Sequence, residues 1–364
     1  MLVFPHPLTV DYYPYHIPLV ALTEWQSLLG IAVILALGVV AIIGFRNKSI
    51  YAYAVWFYAA SFSVVSNLFF SIGTFMNERF IFISSFAFTL VVGYLLAKII
   101  NEKFQQKNLK LAAIGLFAVV LGLYGFKTVH RNSQWENEFI LFGNDVKVSK
   151  NSAFTNNAYG GALIEKALIE KDSTKREMLL ARAVSHLSKS VHVFPKFDKA
   201  EYLLGNAHFL YNKNYTDALK CYFNVLSRDP EYKDIFVNAP LVIYEIPDKT
   251  YRGVVLDSLY NYNPNSFEVN NHLGAYYLID KVDFDKAIKH LSKANAIKKN
   301  DLLVLKNLGV AYFNKGEIKL AETVFLNALQ VAPNDKQLFQ YIITVYKQQG
   351  NNKLAAEYEA RLKQ

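Results

Sequence analysis

The ionisable residues with the most scope for chemistry stand at the edges of long apolar runs. Glu78 and Arg79 come directly before the run that starts at Phe80. A guanidinium group binds phosphate oxygens through two parallel hydrogen bonds, and an ionisable residue at a membrane boundary pairs with a neighbour or faces a cavity. This pair is therefore a candidate site for the phosphate of a lipid or a lipid-linked sugar. The sequence leaves open the alternative of an interfacial ion pair or anchor.

A second group of candidates lies in residues 1–27, which contain no Lys or Arg. Asp11 and His16 can hydrogen-bond hydroxyl groups or move protons. They share this stretch with Tyr12, Tyr13 and Tyr15, whose rings could stack on a sugar. Tyrosine is also enriched where a protein meets a membrane surface, so an aromatic belt is the alternative to a binding site.

Arg131 and Trp135 follow closely on the apolar run that ends at Phe126. Arg131 is a further candidate. If these loops lie on one side of a membrane, it would line one outer cavity together with the candidates named above. A Trp beside an apolar run is typical of an interfacial anchor, and that alternative applies here too.

No cofactor, metal or catalytic residue is predicted. Cys221 is the single cysteine, which excludes a disulfide framework and a thiolate metal cluster. The sequence has no Asp-Asp or Asp-Glu pair. Five histidines lack the spacing of metal ligands and are interpreted as packing or surface residues: His186, His192, His208, His272 and His290.

Two unlike parts of the chain carry these candidates. Of 69 Lys, Arg, Asp and Glu residues, 11 fall in residues 1–126 and 58 in residues 127–364. The chain is 52% hydrophobic with a net charge of +9, so these averages combine an apolar third with an ordinary polar remainder. This pattern excludes an all-soluble globular protein and a disordered chain.

The apolar third predicts four transmembrane helices. The four uncharged runs are residues 28–45, 50–70, 80–97 and 111–126. They contain 18, 21, 18 and 16 residues, against the roughly 20 that span a bilayer core. Four such runs in succession, separated by short polar loops, are typical of a multi-pass membrane segment.

Positive residues predict the orientation of this segment. They concentrate in the first loop, with Arg46 and Lys48, and in the third, which carries four lysines. Because such loops face the cytoplasm, residues 1–27, the loop 71–79 and everything after Phe126 are expected on the other side, in a periplasm or lumen. Residues 1–27 lack a signal-peptide pattern and suit a loop between two spans. We therefore expect the carboxy-terminal part of a larger membrane protein, with a genuine start at Met1 as the alternative.

The remaining residues contain a helical repeat. The clearest copy has Leu308-Gly309, Tyr312, Ala321, Phe325, Ala328 and Pro333, spaced as in the 34-residue tetratricopeptide pattern. Small residues let two antiparallel helices approach, the aromatic rings fill the seam, and the proline ends the second helix. Similar spacings recur around Gly274 and Gly205 with one extra residue, residues 231–264 are degenerate, and five to six units are expected in 152–364.

A repeat array of this kind is usually a binding surface without chemistry of its own. We expect a polypeptide ligand for it. The part of the chain after residue 126 carries a net charge of +6, with no basic run interleaved with aromatics, which argues against a nucleic-acid partner.

The apolar part also carries a specific likeness. The segment 66–70 reads Ser-Asn-Leu-Phe-Phe, Glu78-Arg79 follows it, and residues 83–88 read Ile-Ser-Ser-Phe-Ala-Phe. Together with residues 7–13 (Pro-Leu-Thr-Val-Asp-Tyr-Tyr) and the Arg131-Asn132…Trp135 junction, this order resembles the transmembrane and tetratricopeptide repeat (TMTC) proteins. Ser71 and Ser84 stand where that family has proline-containing steps.

The resemblance implies a relation to protein O-mannosyltransferases of the GT-C fold, and it supports a lipid-phosphate role for Arg79. GT-C enzymes carry their catalytic carboxylate in the first non-cytoplasmic loop, upstream of what this chain covers, so this chain is not expected to transfer sugar alone. The alternative is a non-enzymatic, membrane-anchored tetratricopeptide scaffold for protein–protein interaction.

The expected architecture is all-α. A non-cytoplasmic aromatic-rich loop (1–27) precedes a four-helix transmembrane segment (28–126), a junction helix (127–151) and a tetratricopeptide-repeat α-solenoid (152–364). The expected partners are a membrane lipid or lipid-linked sugar and a polypeptide.

Overall fold

The computed structural model describes residues 7–13, 20–67, 69, 78–100 and 107–363. The regular structure of these residues is helical and contains no β-strand, which confirms the all-α class. The chain forms two compact units, Met1–Ala207 and His208–Gln364. The first holds the apolar helices and the first helices of the repeats, and the second holds the later repeats.

The described residues of the apolar third form four α-helices and one short 3₁₀ helix, of unequal lengths. They are α1 (Trp25–Arg46), α2 (Ile50–Ser63), the 3₁₀ helix Glu78–Ile81, α3 (Ser85–Lys98) and α4 (Lys107–Ser133). Within the described residues, two helical stretches are long and apolar enough to cross a membrane, Trp25–Arg46 and Lys110–Ser133. Of the four expected spans, the described residues thus support two at full length.

The two helices between them are short for a bilayer. α2 and α3 each have 14 residues, or about 21 Å of helix, against a hydrocarbon core of about 30 Å. Serines account for the early end of α2: the Ser61 hydroxyl donates to Phe57 O at 2.7 Å, and the Ser63 hydroxyl donates to Ala60 O at 2.7 Å. Such bonds compete with the helical ladder. Ser61 Oγ also lies 2.8 Å from Ser84 Oγ, which ties the end of α2 to the start of α3.

The side chains of α1 and α4 face outward rather than into a protein core. In α1 only Ala41 is buried, and none of the α4 side chains that the structure describes is buried. A helix that is apolar on every face and unburied suits a lipid environment. α1 and α2 approach closely at Gly44, where an added Cβ would lie 2.8 Å from the Ala52 Cβ.

The segment between the apolar helices and the repeats is divided in two. α4 continues past Lys127 to Ser133, and a separate helix, α5 (Glu138–Val148), follows. Asn137 caps α5 by accepting a hydrogen bond from the Ile140 N–H at 3.0 Å. Ser152 then caps the next helix through the Thr155 N–H. These two caps fix the turns that bring α4, α5 and the first repeat together.

Residues 153–363 form six successive helix pairs. They are α6 (Ala153–Ile169) and α7 (Ser173–Val193), α8 (Asp198–Asn212) and α9 (Tyr215–Arg228), α10 (Lys233–Tyr244) and α11 (Lys249–Tyr262), α12 (Phe267–Tyr276) and α13 (Phe284–Ile297), α14 (Leu302–Lys315) and α15 (Ile318–Val331), and α16 (Lys336–Gln348) and α17 (Asn352–Lys363).

The small residues of the repeat pattern mark the points of closest approach. A Cβ on Gly309 would lie 2.4 Å from the fully buried ring of Phe325, and one on Gly274 would lie 2.5 Å from Leu291. In the first helix pair, Gly160 lies against Leu187 in the same way. Its position in the sequence does not follow the spacing of the later copies. These contacts require glycine, because any side chain would push the paired helices apart.

The irregular copies fold as helix pairs too. The extra residue before Ala287 is absorbed by a π-helical turn at Tyr277–Lys281, which ends at Val282 with φ of 55°. The degenerate stretch 231–264 forms α10 and α11, with Pro240 inside α10 and Gly253 set against the Tyr276 ring. Fully buried Ile235 and Leu259 supply the core that the small-residue signature does not indicate.

Candidate functional site

The structure describes the predicted site residues unequally. Asp11 and Arg131 are described in full. Glu78 and Arg79 open the 3₁₀ helix that precedes α3, but their side chains are outside the described part. His16 also lies outside the described residues.

Arg131 forms an ion pair at the junction. Its Nη1 donates to Asp145 Oδ1 at 2.7 Å and to Gln134 Oε1 at 2.7 Å. The Asp145 side chain is fully buried, and that of Arg131 is 14% exposed. The second carboxylate oxygen, Oδ2, accepts the Val10 N–H at 2.9 Å. A buried carboxylate is tolerated when its oxygens are paired and hydrogen-bonded in this way.

The segment 7–13 is held against the junction by main-chain contacts. The Thr155 hydroxyl donates to Asp11 O at 3.3 Å, and the Ser152 hydroxyl donates to Tyr13 O at 2.8 Å. The Thr9 and Ser149 hydroxyls lie 2.9 Å apart in a buried position. We call residues 7–13 the amino-terminal strap. It joins the end of α5 and the start of the first repeat to the chain that precedes α1.

Asp145 connects Arg131 to the strap. Val10, the residue before Asp11, donates to one oxygen of the Asp145 carboxylate, and Arg131 donates to the other. The Asp11 carboxylate itself accepts the Tyr13 N–H. Arg131 therefore takes part in an ion pair within the junction, and the centre of the Trp135 ring, 6.0 Å from its guanidinium carbon, adds a cation–π contact.

Sequence reasoning missed Asp145. It is the one acidic residue of α5 beyond Glu138 at its start, and a lone carboxylate within a mostly apolar helix is a signal for a paired, buried charge. Its partner could not be read from the sequence, because Arg131 and Val10 lie 14 and 135 residues away.

An Asn–His pair occurs twice in the repeats, partly buried in the first copy and buried in the second. Asn156 Oδ1 meets His186 Nδ1 at 2.9 Å, and Asn270 Oδ1 meets His290 Nδ1 at 3.1 Å. In each copy the asparagine amide donates to two main-chain oxygens, one of them from the serine four residues earlier. The interpretation of these histidines as packing residues agrees with this geometry, and no group of metal-ligating side chains occurs among the residues described.

Burial and nearby lysines perturb one of these histidines strongly. Desolvation first, then Lys289, Lys293 and Lys286, lower the pKa of His290 to about 4. Burial also lowers the pKa of His186, with smaller contributions from Arg182 and Lys189. Both rings are therefore neutral at physiological pH, which suits hydrogen bonding inside a helix pair.

The second unit presents an exposed apolar row. α10, α12, α14 and α16, the first helices of successive pairs, neighbour one another. On α10, the side chains of Val237, Leu241 and Tyr244 are 48%, 55% and 51% exposed. Their spacing places them on one helical face. The Tyr244 ring is braced by His272, with centroids 6.1 Å apart, and by Arg252.

Comparison with known proteins supports the family resemblance. The chain is 26% identical over 359 residues to the protein O-mannosyl-transferase TMTC3 of Mus musculus, which covers 95% of this chain and 34% of that protein. It is 34% identical over 123 residues to the protein O-mannosyl-transferase tmtc2 of Xenopus laevis, covering 34% of this chain and 14% of that protein. The chain thus spans about a third of the length of TMTC3. No family model matches it.

Solved structures of repeat proteins are also similar. The crystal structure of MamA protein covers 46% of this chain and 91% of its own, with 19% identity and a TM-score of 0.41. YrrB, described as a TPR protein with an unusual peptide-binding site, covers 54% and 94%, with 18% identity and a TM-score of 0.41. The C-terminal part of a TPR repeat-containing protein from Cytophaga hutchinsonii covers 56% and 76%, with 17% identity and a TM-score of 0.44.

The six helix pairs, the two apolar helices of spanning length and the likeness to TMTC3 along 95% of the chain agree with one another. This chain is therefore similar to the TMTC proteins along nearly its whole length, and residues 153–363 have the helix pairs of tetratricopeptide repeats.

Proposed function

We propose that this chain is the carboxy-terminal part of a membrane glycosyltransferase-like protein of the GT-C type. The membrane part holds a lipid-phosphate sugar, and the repeats engage an acceptor polypeptide on the non-cytoplasmic side. The observation that carries the proposal is the 26% identity to a protein O-mannosyl-transferase over 95% of this chain. Sugar transfer belongs to the whole protein, and no catalytic residue is assigned here.

The membrane half of the proposal rests on the apolar helices. α1 and α4 expose apolar side chains along lengths that match a bilayer. α2 and α3 are proposed to complete a four-span segment with the residues that flank them. Arg79, at the start of the 3₁₀ helix before α3, is proposed to bind the donor phosphate, with Glu78 beside it.

The acceptor half rests on the repeats and on the strap. The exposed row Val237, Leu241 and Tyr244 offers apolar and aromatic contact area of the kind that anchors a polypeptide. In the first unit, the strap and the Arg131–Asp145 pair hold the first repeat against the end of α4.

Donor binding tests the proposal. The experiment compares the intact chain with Arg79→Ala in detergent micelles and measures the Kd for a polyprenyl-phosphate mannose. Hydrogen bonds to a charged group contribute about 1.5–3 kcal/mol, so loss of the guanidinium should weaken binding by roughly 10- to 100-fold. Arg46→Ala, which removes a guanidinium at the carboxy-terminal end of α1, is the matched control and should leave the Kd unchanged. An unaltered Kd for Arg79→Ala would return Arg79 to the role of an interfacial anchor.

The second candidate function is a non-enzymatic membrane scaffold, which the exposed row on α10 favours. In that case the chain captures polypeptide but binds no lipid-linked sugar. The variant Leu241→Asp should abolish polypeptide capture under either function. The two are distinguished by donor binding to the unmodified chain, which only the transferase-like function requires.

A further inference from the structure

An apolar cavity lies among α1, α2 and α3, within the part of the chain that the structure describes. Its volume is about 930 Å³, near the upper end of the roughly 300–1,000 Å³ that is usual for small-molecule sites. Its polar lining consists of Ser49, Tyr51 and Tyr58, and the other lining residues are apolar. Because such walls offer few hydrogen bonds, the occupant of this cavity must itself be largely apolar.

Contacts among the three helices fix the walls of this cavity. α1 meets α2 at Gly44, where an added Cβ would lie 2.8 Å from the Ala52 Cβ. α2 meets α3 through the Tyr51 and Tyr94 rings, whose centroids lie 5.8 Å apart in an edge-to-face arrangement. The cavity is therefore preformed, and its shape is set by the helix packing.

The cavity is as deep as one leaflet of a bilayer. Its lining on α1 runs from Val33 to Gly44, which is about 16 Å at 1.5 Å per residue. Half of a hydrocarbon core of about 30 Å is about 15 Å. Val33, Leu37 and Val40 are 50%, 43% and 41% exposed, and their spacing of four and three residues makes them one stripe along this wall. A single acyl chain that enters from the carboxy-terminal end of α1 matches this depth.

The mouth of the cavity lies at the turn between α1 and α2, and this turn is positively charged. Gly44 and Ser49 belong to the lining, and Lys48, between them in sequence, is exposed. No Asp or Glu occurs in residues 25–77, so this stretch contributes no negative charge. Positive loops face the cytoplasm, where anionic lipids give the leaflet a negative surface. Charge complementarity therefore favours an anionic lipid of that leaflet.

We propose that one acyl chain of an anionic phospholipid from the cytoplasmic leaflet occupies this cavity, with the headgroup beside Lys48. The inference rests on the orientation given above for the apolar helices, but it does not depend on sugar transfer. Arg79 precedes the start of α3, whereas Tyr94, near the end of α3, contacts Tyr51 at the mouth. The lipid site and the donor site thus lie at opposite ends of α3, and a bound chain would fill the space between α1 and the α2–α3 pair.

Native mass spectrometry of the full chain in detergent tests the cavity. Palmitoyl-oleoyl phosphatidylglycerol is titrated against the unmodified chain and against Val40→Trp, which places an indole ring in the lining. Ile42→Trp is the matched control, because Ile42 is 69% exposed on α1 and lies outside the lining. We expect one retained lipid per chain, bound roughly tenfold more weakly by Val40→Trp because the cavity is overfilled, and equally well by the control. Circular dichroism verifies the helices of each variant, and equal binding by both variants would overturn the cavity as the site.

A second titration tests the headgroup. Palmitoyl-oleoyl phosphatidylcholine has the same acyl chains without net charge, and it should bind roughly fivefold more weakly, the factor for one lysine near a charged surface. Lys48→Gln should remove this preference. Lys171→Gln, which changes an exposed lysine of the repeats, should keep it. Equal binding of the two lipids by the unmodified chain would overturn the anionic assignment.

Competition distinguishes the other possible occupants. If undecaprenyl phosphate displaces the phospholipid at a lower concentration than phosphatidylglycerol itself does, the occupant is an isoprenoid chain and the phospholipid is overturned. Dimers that retain no lipid would instead make a second copy of the chain the occupant. The Kd for polyprenyl-phosphate mannose, measured in parallel, should be the same for Val40→Trp and the unmodified chain. Failure of the lipid site therefore leaves the donor site standing, and the reverse also holds.

Discussion

Arg131 at the end of α4 donates a hydrogen bond of 2.7 Å to the fully buried carboxylate of Asp145 in α5. The same carboxylate accepts the Val10 N–H, so one side chain joins the last apolar helix, the junction helix and the strap. Because removing one partner of a buried pair leaves an uncompensated charge, this junction depends on Asp145 and Arg131 together.

Replacement of Asp145 by alanine should destabilise the junction. Loss of one partner of a buried ion pair costs about 3–5 kcal/mol. Denaturant unfolding of the detergent-solubilised chain measures the change, and faster proteolysis between α4 and α6 should accompany it. Glu245→Ala is the control, because the Lys213–Glu245 pair is 63% and 55% exposed at 3.7 Å and such pairs contribute about 0–1 kcal/mol. Equal stability of Asp145→Ala and the unmodified chain would contradict the structural role.

Two adjacent glycines of α6 should respond differently to alanine. A Cβ at Gly160 would lie 2.5 Å from the buried Leu187, whereas one at Gly161 would meet Leu203 at an ordinary 3.6 Å. Gly160→Ala should therefore lose about 1–3 kcal/mol through overpacking, while Gly161→Ala should be neutral or gain up to about 1 kcal/mol of helix propensity. The melting temperatures of the two variants check this, and similar values for both would refute it.

The repeats should lose stability in mild acid. His290 has a pKa of about 4 in the folded chain and 6.5 as its ordinary value, so the unfolded state takes up the proton first as pH falls. Its contribution is complete above pH 6.5 and declines as the pH drops towards 4, by at most about 1.4 kcal/mol per pH unit. His186 acts in the same direction.

Melting curves between pH 7 and pH 4.5 measure this effect. His290→Gln keeps a hydrogen-bonding group opposite Asn270 but does not titrate, so its melting temperature should fall less steeply with pH. The exposed His192 provides the control variant His192→Gln, which should keep the steep dependence. Parallel curves for His290→Gln and the unmodified chain would count against the linkage.

The proposed topology has a direct test. If the repeats lie on the non-cytoplasmic side, a protease added outside spheroplasts should degrade residues 127–364 while loops carrying Arg46 and Lys98 stay protected. The positive loops predict this orientation. Full protection of the repeats, with cleavage only after the membrane is opened, would reverse it.

Much of the fold can be predicted from the sequence. The spacing of Gly309, Tyr312, Ala321 and Phe325 predicts a tight helix pair, because close approach needs small residues opposite large ones. The predicted start of the repeats at residue 152 agrees with the first repeat helix, α6, which occupies Ala153–Ile169. Hydropathy alone overestimates the length of α2, where Ser61 and Ser63 donate hydrogen bonds to the main chain near the end of the helix.

The candidate site is harder to predict from the sequence than the fold. Arg131 stands out in the sequence as a cation beside an apolar run, but the sequence offers no means of choosing Asp145 as its partner. Asp11 likewise suggests proton or hydroxyl chemistry, whereas its carbonyl oxygen accepts a hydrogen bond from Thr155. The Arg131–Asp145 contact spans 14 residues and the Thr155–Asp11 contact 144, and neither separation belongs to a periodic pattern.

The sequence by itself determined the all-α class, the apolar and repeat parts and the family likeness, because hydrophobic periodicity and small-residue spacing are local properties of the chain. Only the tertiary structure decided that the strap is held by Asp145, that Asn270 and His290 share a buried bond, and that α1, α2 and α3 line one apolar cavity. Each of these depends on how separate helices approach one another, and that approach is set by packing of the whole unit rather than by any one segment.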